Sequence, residues 1–456
     1  MDAWLEAALE YLPRWLDLQM RMMAQPGCVV AVSQRGRIIL EKALGVADEQ
    51  SGEKLTPRHR FRVASHSKAF TAAAILKLRE EKRVRLDDPI GQFVDGLRAG
   101  VASRTLQQLL SHHAGLTRDG ENAGQWVDRR PFFDERGLRQ ELTREPVFEA
   151  NERFKYSNHG YGLLGLAIEA VSGEPYSEWI QREIVAASGL KETSVDGPPA
   201  ARVRFASGHS SRLPLGRRVV IPGRNETRAM APATGFISSA ADLARFFGSL
   251  DPRARRSVLS PASRRELVRA HVADLQMSVP RGYGLGVMSG KHAGWEWFGH
   301  GGAFQGSLSR TAVLKGRDLS VSIATNAIDG PATPWVEGAL HILQTFSKRG
   351  APRSRRSRDW TGRWWSLWRA VDLVPMGDAV LIADPKQPLP FIDASELRVD
   401  SRDEGTLTVA PGLGNPGELA RRKRSPSGRV TSLRLGGIEY HSQASFSRDL
   451  KRRFES

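Results

Sequence analysis

The apolar periodicity of this chain changes character twice after its first helix, and that order limits the fold more than any other feature. Residues 3–23 carry apolar groups at helical spacing, among them Trp4, Leu5, Ala8, Leu9, Leu12, Trp15 and Leu16. Short β-like runs follow at Gly27–Val32 and Ile38–Leu40, with Arg35-Gly36 between them as a hairpin turn. A long helical middle then covers 66–82, 104–111, 159–172, 177–187, 239–249 and 260–271. Strand signals return near 283–289, 308–314 and 318–325. Strands on both sides of a helical middle predict an α+β domain whose sheet is drawn from both chain ends, with helices inserted between.

Residues 347–359 (SKRGAPRSRRSRD) are basic and nearly devoid of apolar groups, so they read as a linker. The tail from Trp360 has short apolar runs at 371–375, 379–383, 396–399, 406–409 and 430–435, separated by turns. That spacing predicts a small all-β, barrel-like module. The expected organisation is one domain over 1–346, a linker over 347–359 and a β domain over 360–456.

The net charge of +17 raises the prospect of a nucleic-acid or anionic partner. The arginines are spread along the chain, with short runs only at Arg353–Arg358 and Arg421–Arg424, and no basic stretch is interleaved with stacking aromatics. Nucleic acid is therefore not the expected partner. The single cysteine, Cys28, excludes an intrachain disulfide and a multi-thiolate metal site. The start of the chain carries Asp2, Glu6, Glu10 and Asp17 and lacks the basic start and apolar run of a secretory signal. No run of about 20 apolar residues suggests a membrane span. The cytoplasm is the expected location, and the oligomeric state is unreadable.

Three segments carry chemistry. In Ser65-His66-Ser67-Lys68, i to i+3 spacing at a helix start puts Ser65 and Lys68 on one face. A serine needs a partner to take its proton, and a buried lysine can lose its own near neutral pH. A capping serine with a solvated lysine has the same spelling. In Tyr156-Ser157-Asn158, a tyrosine near an ammonium ionises more easily, and an asparagine two residues on can reach a carbonyl and the lysine. An ordinary loop-to-helix junction capped by Asn158 is the other reading. In Gly299-His300-Gly301-Gly302-Ala303, glycines allow close backbone approach, so an edge-strand N–H can complete an oxyanion hole with the N–H of Ser65. A plain glycine-rich hairpin is the alternative.

In this order and at these separations the three segments resemble the class C β-lactamase and D-alanyl-D-alanine peptidase superfamily of penicillin-recognising serine hydrolases. The S-x-x-K element is Ser65–Lys68, Y-x-N is Tyr156–Asn158, and the third motif, in its H-x-G form, is His300–Gly302. Segments 85–90, 105–116 and 233–243 resemble the family too, and the likeness covers roughly 25–345. It implies an antiparallel sheet flanked by helices with a helical subdomain, and acyl-enzyme chemistry without metal or cofactor. Ser65 would attack, Lys68 and Tyr156 would move the proton, and Asn158 would orient the substrate. The N–H groups of Ser65 and Ala303 would hold the oxyanion, with His300, Gly301 and Gly302 at the rim. A metal reading of His112-His113 is rejected because the pair falls inside a family-like helix end.

His300 and Gly301 stand where true β-lactamases of this class have a lysine and a hydroxyl residue, which weakens carboxylate recognition. The histidine form points to the esterase and D-aminopeptidase-like branch, and the tail resembles barrel domains appended to some of its members. The expected activity is hydrolysis of esters or amides of small acyl or D-amino-acyl groups. An acyltransferase and a catalytically silent binding protein are the alternatives. Loops near 117–150, 205–230 and 272–298 are expected to shape the pocket, with Trp126, Trp295 and Trp297 as pocket wall or as core.

Overall fold

The computed structural model describes residues 1–196, 203–275, 277, 281–412 and 414–455. Part of the expected pocket loop 272–298, residues 276 and 278–280, lies outside them. The chain packs as two compact units, Gln25–Val336 and Met1–Ala24 with Glu337–Ser456.

The first unit is built on an eight-stranded antiparallel sheet. Its strands are β1 (Gly27–Gln34), β2 (Arg37–Gly45), β3 (Val272–Asp274), β4 (Arg281–Tyr283), β5 (Met288–His292), β6 (Trp295–Phe304), β7 (Ser307–Leu314) and β8 (Leu319–Thr325). Their order is β2-β1-β8-β7-β6-β5-β4-β3, so both chain ends of the unit do supply the sheet. β1 and β8 are buried along nearly their whole length, and so lack the alternation of a half-exposed strand. Helix α1 (Ala240–Ser249), capped by Ser239, packs across β1, β7 and β8.

Helix α2 (Ser67–Glu80) runs through the core with Ala69, Ala72, Ala73 and Ala74 buried, small enough for neighbours to approach closely. Phe70 stacks between Phe236 and Phe246 at centroid distances of 4.4 and 3.8 Å. Helix α3 (Asn158–Ser172) starts at a Ser157 cap and stops at Gly173, whose φ of +77° is the left-handed conformation that ends helices. The strand expected over 283–289 is divided at Gly286 (φ +74°), where a Cβ would lie 2.7 Å from the Lys68 carbonyl. The glycine run 299–303, weighed as an edge strand or a glycine-rich hairpin, lies in the ten-residue strand β6.

The second unit holds a closed eight-stranded barrel from Gly362 to His441. Three of its strands, Gly362–Trp365, Leu419–Arg424 and Ile438–His441, have no clear apolar signal. In Leu419–Arg424 the buried positions are Ala420 and Arg422. The Arg422 guanidinium lies 4.2 Å from the Trp360 ring and 2.8 Å from the Asp359 carboxylate, so a run read as basic surface is a strand with a paired, buried arginine.

The helix Ala3–Met22 belongs to this second unit, so the compact units do not divide at 346 and 360. Trp15 Nε1 donates to the Gln387 carbonyl (3.2 Å), and Gln19 Nε2 donates to the Pro385 carbonyl (2.8 Å). Contacts between residues more than 300 positions apart leave no mark in local composition. Within the expected linker, residues 347–349 end the helix Ala332–Arg349, and the Arg353 N–H donates to the Gly377 carbonyl at the barrel (3.0 Å).

Candidate active site

The segment before α2 makes a tight turn, Ala64–His66, with Ala64 at a φ of +44°. That strained conformation is held from three sides. Ser67 Oγ donates to the Ala64 carbonyl (2.5 Å) and accepts the Phe236 N–H (3.1 Å). His66 lies between the Val63 carbonyl, 3.0 Å from Nδ1, and Thr311 Oγ1 on β7, 3.0 Å from Nε2. A carbonyl can only accept, so Nδ1 carries the proton and Nε2 accepts from Thr311. Complete burial lowers the His66 pKa to about 3, with the Val63 bond opposing the shift and Arg310 adding to it. The ring is therefore a neutral strut between the turn and the sheet.

One helical turn on, Lys68 is fully buried. Its Nζ is 3.1 Å from Ser65 Oγ, 2.7 Å from Asn158 Oδ1 and 2.8 Å from the Ala233 carbonyl. Burial holds its pKa well below the usual lysine value; the Asp119 carboxylate opposes this and Arg118 reinforces it. Asn158 Oδ1 and the Ala233 carbonyl can only accept from the amine, whereas Ser65 Oγ can accept from it or, once the amine is neutral, donate to its lone pair. The orientation of the Asn158 amide follows from its other end, where Nδ2 donates to Asp119 Oδ1 (2.7 Å).

Tyr156 donates to Ser65 Oγ at 2.8 Å, and its ring centroid is 4.8 Å from Lys68 Nζ. The sequence expectation of an easily ionised tyrosine is not met. Burial pushes the phenol pKa up, and the Ser65 hydrogen bond and Arg118 offset only part of the rise. The ammonium that would have favoured a phenolate is itself held toward the neutral form.

Strand β6 forms the opposite wall. Its pairing with β5 ends at Met288 opposite Gly299, so His300–Ala303 have a locally open edge inside an otherwise central strand. A Cβ at Gly302 would lie 2.0 Å from the Val63 carbonyl, which is how closely this edge approaches the Ser65 turn. A cleft of about 360 Å³ lies between, lined by Ser65, Arg118, Tyr156 and the His300–Ala303 edge.

Behind the wall, His112, Tyr283 and His300 form a directed chain. The Ser157 N–H donates to His112 Nδ1 (3.1 Å), so the proton of this ring is on Nε2, which faces the Tyr283 hydroxyl (3.2 Å). The His300 Nδ1 lies 2.6 Å from the Gly301 carbonyl and must donate there, which leaves Nε2 to accept from Tyr283 (3.0 Å). Burial is the main cause that holds both histidines well below their ordinary pKa. The chain is neutral throughout, and its tautomers are set by backbone groups at both ends. The His112 ring also packs 4.2 Å from the Tyr156 ring.

All eight residues singled out in the sequence thus lie around one cleft. His66, Asp119 and Tyr283 were not singled out, and His112 was weighed only as a metal ligand. Asp119 accepts from Asn158 and Trp126 (2.9 Å) and pairs with Arg118 (3.0 Å). Its Thr117-Arg118-Asp119 context looks like any polar loop. Trp126 supports Asp119, whereas Trp295 and Trp297 are buried beside Arg317 and Arg310 and do not line the cleft. Among the described residues no group of His, Cys, Asp or Glu is arranged to hold a metal ion.

A family model described as Beta-lactamase matches residues 14–343, more than half of the chain. Protein flp of Staphylococcus aureus (strain MW2) is 31% identical over 176 residues, which are 37% of this chain and 34% of that protein. The chain thus spans about a third of that curated relative. The solved octameric penicillin-binding protein homologue from Pyrococcus abyssi aligns with a TM-score of 0.66 at 22% identity, covering 95% of this chain and 99% of that one. A D-stereospecific amidohydrolase from Streptomyces sp. aligns with a TM-score of 0.61 at 25% identity, covering 73% of this chain and 98% of that one.

Proposed function

The chain belongs to the beta-lactamase family, and from that membership we propose that it is a serine hydrolase that cleaves esters or amides of small acyl or D-amino-acyl groups through an acyl-enzyme on Ser65. The observation that carries this reading is the contact of Ser65 Oγ with both Lys68 Nζ and the Tyr156 hydroxyl, at 3.1 and 2.8 Å. Its substrate side draws on the Streptomyces amidohydrolase and on the uncharged His300 at the cleft.

In the first step the neutral Lys68 amine takes the Ser65 proton as Oγ bonds to the substrate carbonyl carbon. The carbonyl oxygen becomes an oxyanion, held by the N–H groups of Ser65 and Ala303. Asn158 keeps Lys68 in place and orients the substrate. The carbonyl carbon then loses its alcohol or amine, which receives the proton from Lys68 by way of the Tyr156 phenol. Water attacks the ester and gives a proton to the same pair; Ser65 Oγ leaves and regains its hydrogen. With His300 neutral, the third motif supplies no ammonium for a β-lactam carboxylate, and the Arg118 guanidinium at the cleft is already paired with Asp119, so esters and amides are favoured over cephalosporins.

Intact-mass spectrometry with a fluorophosphonate tests the nucleophile: wild type gains one adduct on the Ser65 peptide and Ser65→Ala gains none. Turnover of p-nitrophenyl esters, D-amino-acid amides and a cephalosporin then selects the substrate class. A folded wild type that forms no adduct overturns the reading.

A further inference from the structure

We propose that the second unit carries a docking surface for an anionic lipid bilayer, made of the hairpin tip Leu367-Trp368 and the helix Gln443–Phe454. Strands Gly362–Trp365 and Ala370–Met376 are joined by residues 366–369, closed by the Ser366 N–H on the Arg369 carbonyl (2.9 Å). Such tips are ordinarily Gly, Asn, Asp or Pro, because turns face water. Here they are Leu367, 61% exposed, and Trp368, 79% exposed. Nothing in a hairpin turn asks for these residue types, and a tip of this composition leaves a large apolar area in water.

The helix beside it adds an independent feature. Gln443–Phe454 has no buried residue, although it lies along the strands Gly362–Trp365 and Ile438–His441. Phe446, Leu450 and Phe454 follow one another at i+4 spacing on one face, and Phe454 is 62% exposed. The same helix carries Arg448, Lys451, Arg452 and Arg453 against the single carboxylate of Asp449. Tip and helix border a cleft of about 690 Å³ whose lining includes Leu367, Trp368, Ile438 and Phe446 with Arg448, Arg452 and Arg453 against Glu439 and Asp449.

An exposed indole among apolar groups, beside Arg448, Arg452 and Arg453, which outnumber the carboxylates of Glu439 and Asp449, matches the water–lipid boundary. There the indole sits at headgroup depth, leucine and phenylalanine reach the acyl chains, and each Lys or Arg gains from anionic headgroups. A nucleic acid would be met by a series of stacking aromatics, whereas the apolar groups around Trp368 in this cleft are the aliphatic Leu367 and Ile438 and one further ring, Phe446. This surface is separate from the Ser65 cleft, with which it shares no lining residue, so the proposal does not depend on the hydrolase reading.

Co-sedimentation of the full chain with phosphatidylcholine vesicles, with and without phosphatidylglycerol, tests it. Wild type is expected to sediment with the anionic vesicles and not the neutral ones, and to be released by raised salt. Leu367→Ser/Trp368→Ala and Arg452→Glu/Arg453→Glu should each weaken binding by about tenfold or more, with circular dichroism and melting temperature unchanged. Wild type that ignores anionic vesicles overturns the proposal, as does binding that both folded variants keep. Self-association in solution that the tip variant abolishes, without vesicle binding, assigns the surface to a second copy and also overturns it. So does binding to an oligonucleotide without binding to vesicles.

Discussion

The Asp119 carboxylate acts on Lys68 in two ways. It orients the Asn158 amide so that Oδ1 faces the amine, and its charge favours the ammonium against the pull of burial. In the proposed mechanism acylation needs the neutral amine, so the acid limb of kcat/KM is expected to follow the Lys68 pKa. Asp119→Asn removes the charge and keeps an acceptor, and its acid limb should move to lower pH. A pH–rate profile of both proteins checks this; an unmoved limb would show that it belongs to another group. Lys68→Met should lower acylation by about 10²–10⁴-fold, the usual range for loss of a positioned base.

His66 makes a prediction about stability rather than rate. Its folded pKa of about 3 lies below the unfolded value of 6.5, so its contribution is complete above pH 6.5 and is lost as pH falls toward 3. Between pH 7 and pH 4.5 the loss from this group is about 3 kcal/mol. His66→Gln can donate to the Val63 carbonyl and accept from Thr311 without titrating, so its denaturant midpoint should fall less over the same range.

At the scale of elements, the cleft depends on how closely β6 lies against the Ala64–His66 turn. Gly302→Ala places a methyl 2.0 Å from the Val63 carbonyl, and strand or turn must move. The expected result is a folded protein whose acylation rate is reduced by about a hundredfold or more, the loss seen when an oxyanion donor is removed. Stopped-flow acylation with circular dichroism as control measures it. Most elements were legible because their patterns are local: Thr105 caps Leu106–Leu110 with a reciprocal Gln108 bond, and Ser157 and Gly173 bound α3. Of strand β6 only an edge at its glycine run was legible and its length was not, because Gly299, Gly301 and Gly302 dilute its apolar signal and allow close approach to a distant turn. Leu419–Arg424 failed for a related reason, since the inward Arg422 is neutralised by Asp359, some sixty residues earlier.

At the scale of the whole molecule, the barrel unit depends on the first helix of the chain. A Cβ on Gly338 would lie 2.3 Å from the Trp15 ring, which measures how tightly that indole is enclosed. Trp15→Ala should destabilise the unit by about 3–5 kcal/mol. Urea denaturation followed by barrel fluorescence reads the effect, and a barrel midpoint that does not change would refute the dependence. Legible in one dimension were the α+β class and the barrel-like tail, while Ser65, Lys68, Tyr156, Asn158 and His300–Ala303 were put forward by three short motifs together with their family resemblance. Periodicity and short spacings along one helix or strand are properties of neighbouring residues. What only the folded chain decided was electrostatics and support: the lowered Lys68 pKa and raised Tyr156 pKa, the tautomers of His66, His112 and His300, and the places of Asp119 and Tyr283. Those depend on burial and on acceptors supplied by segments tens to hundreds of residues away, and no local pattern in the chain encodes them.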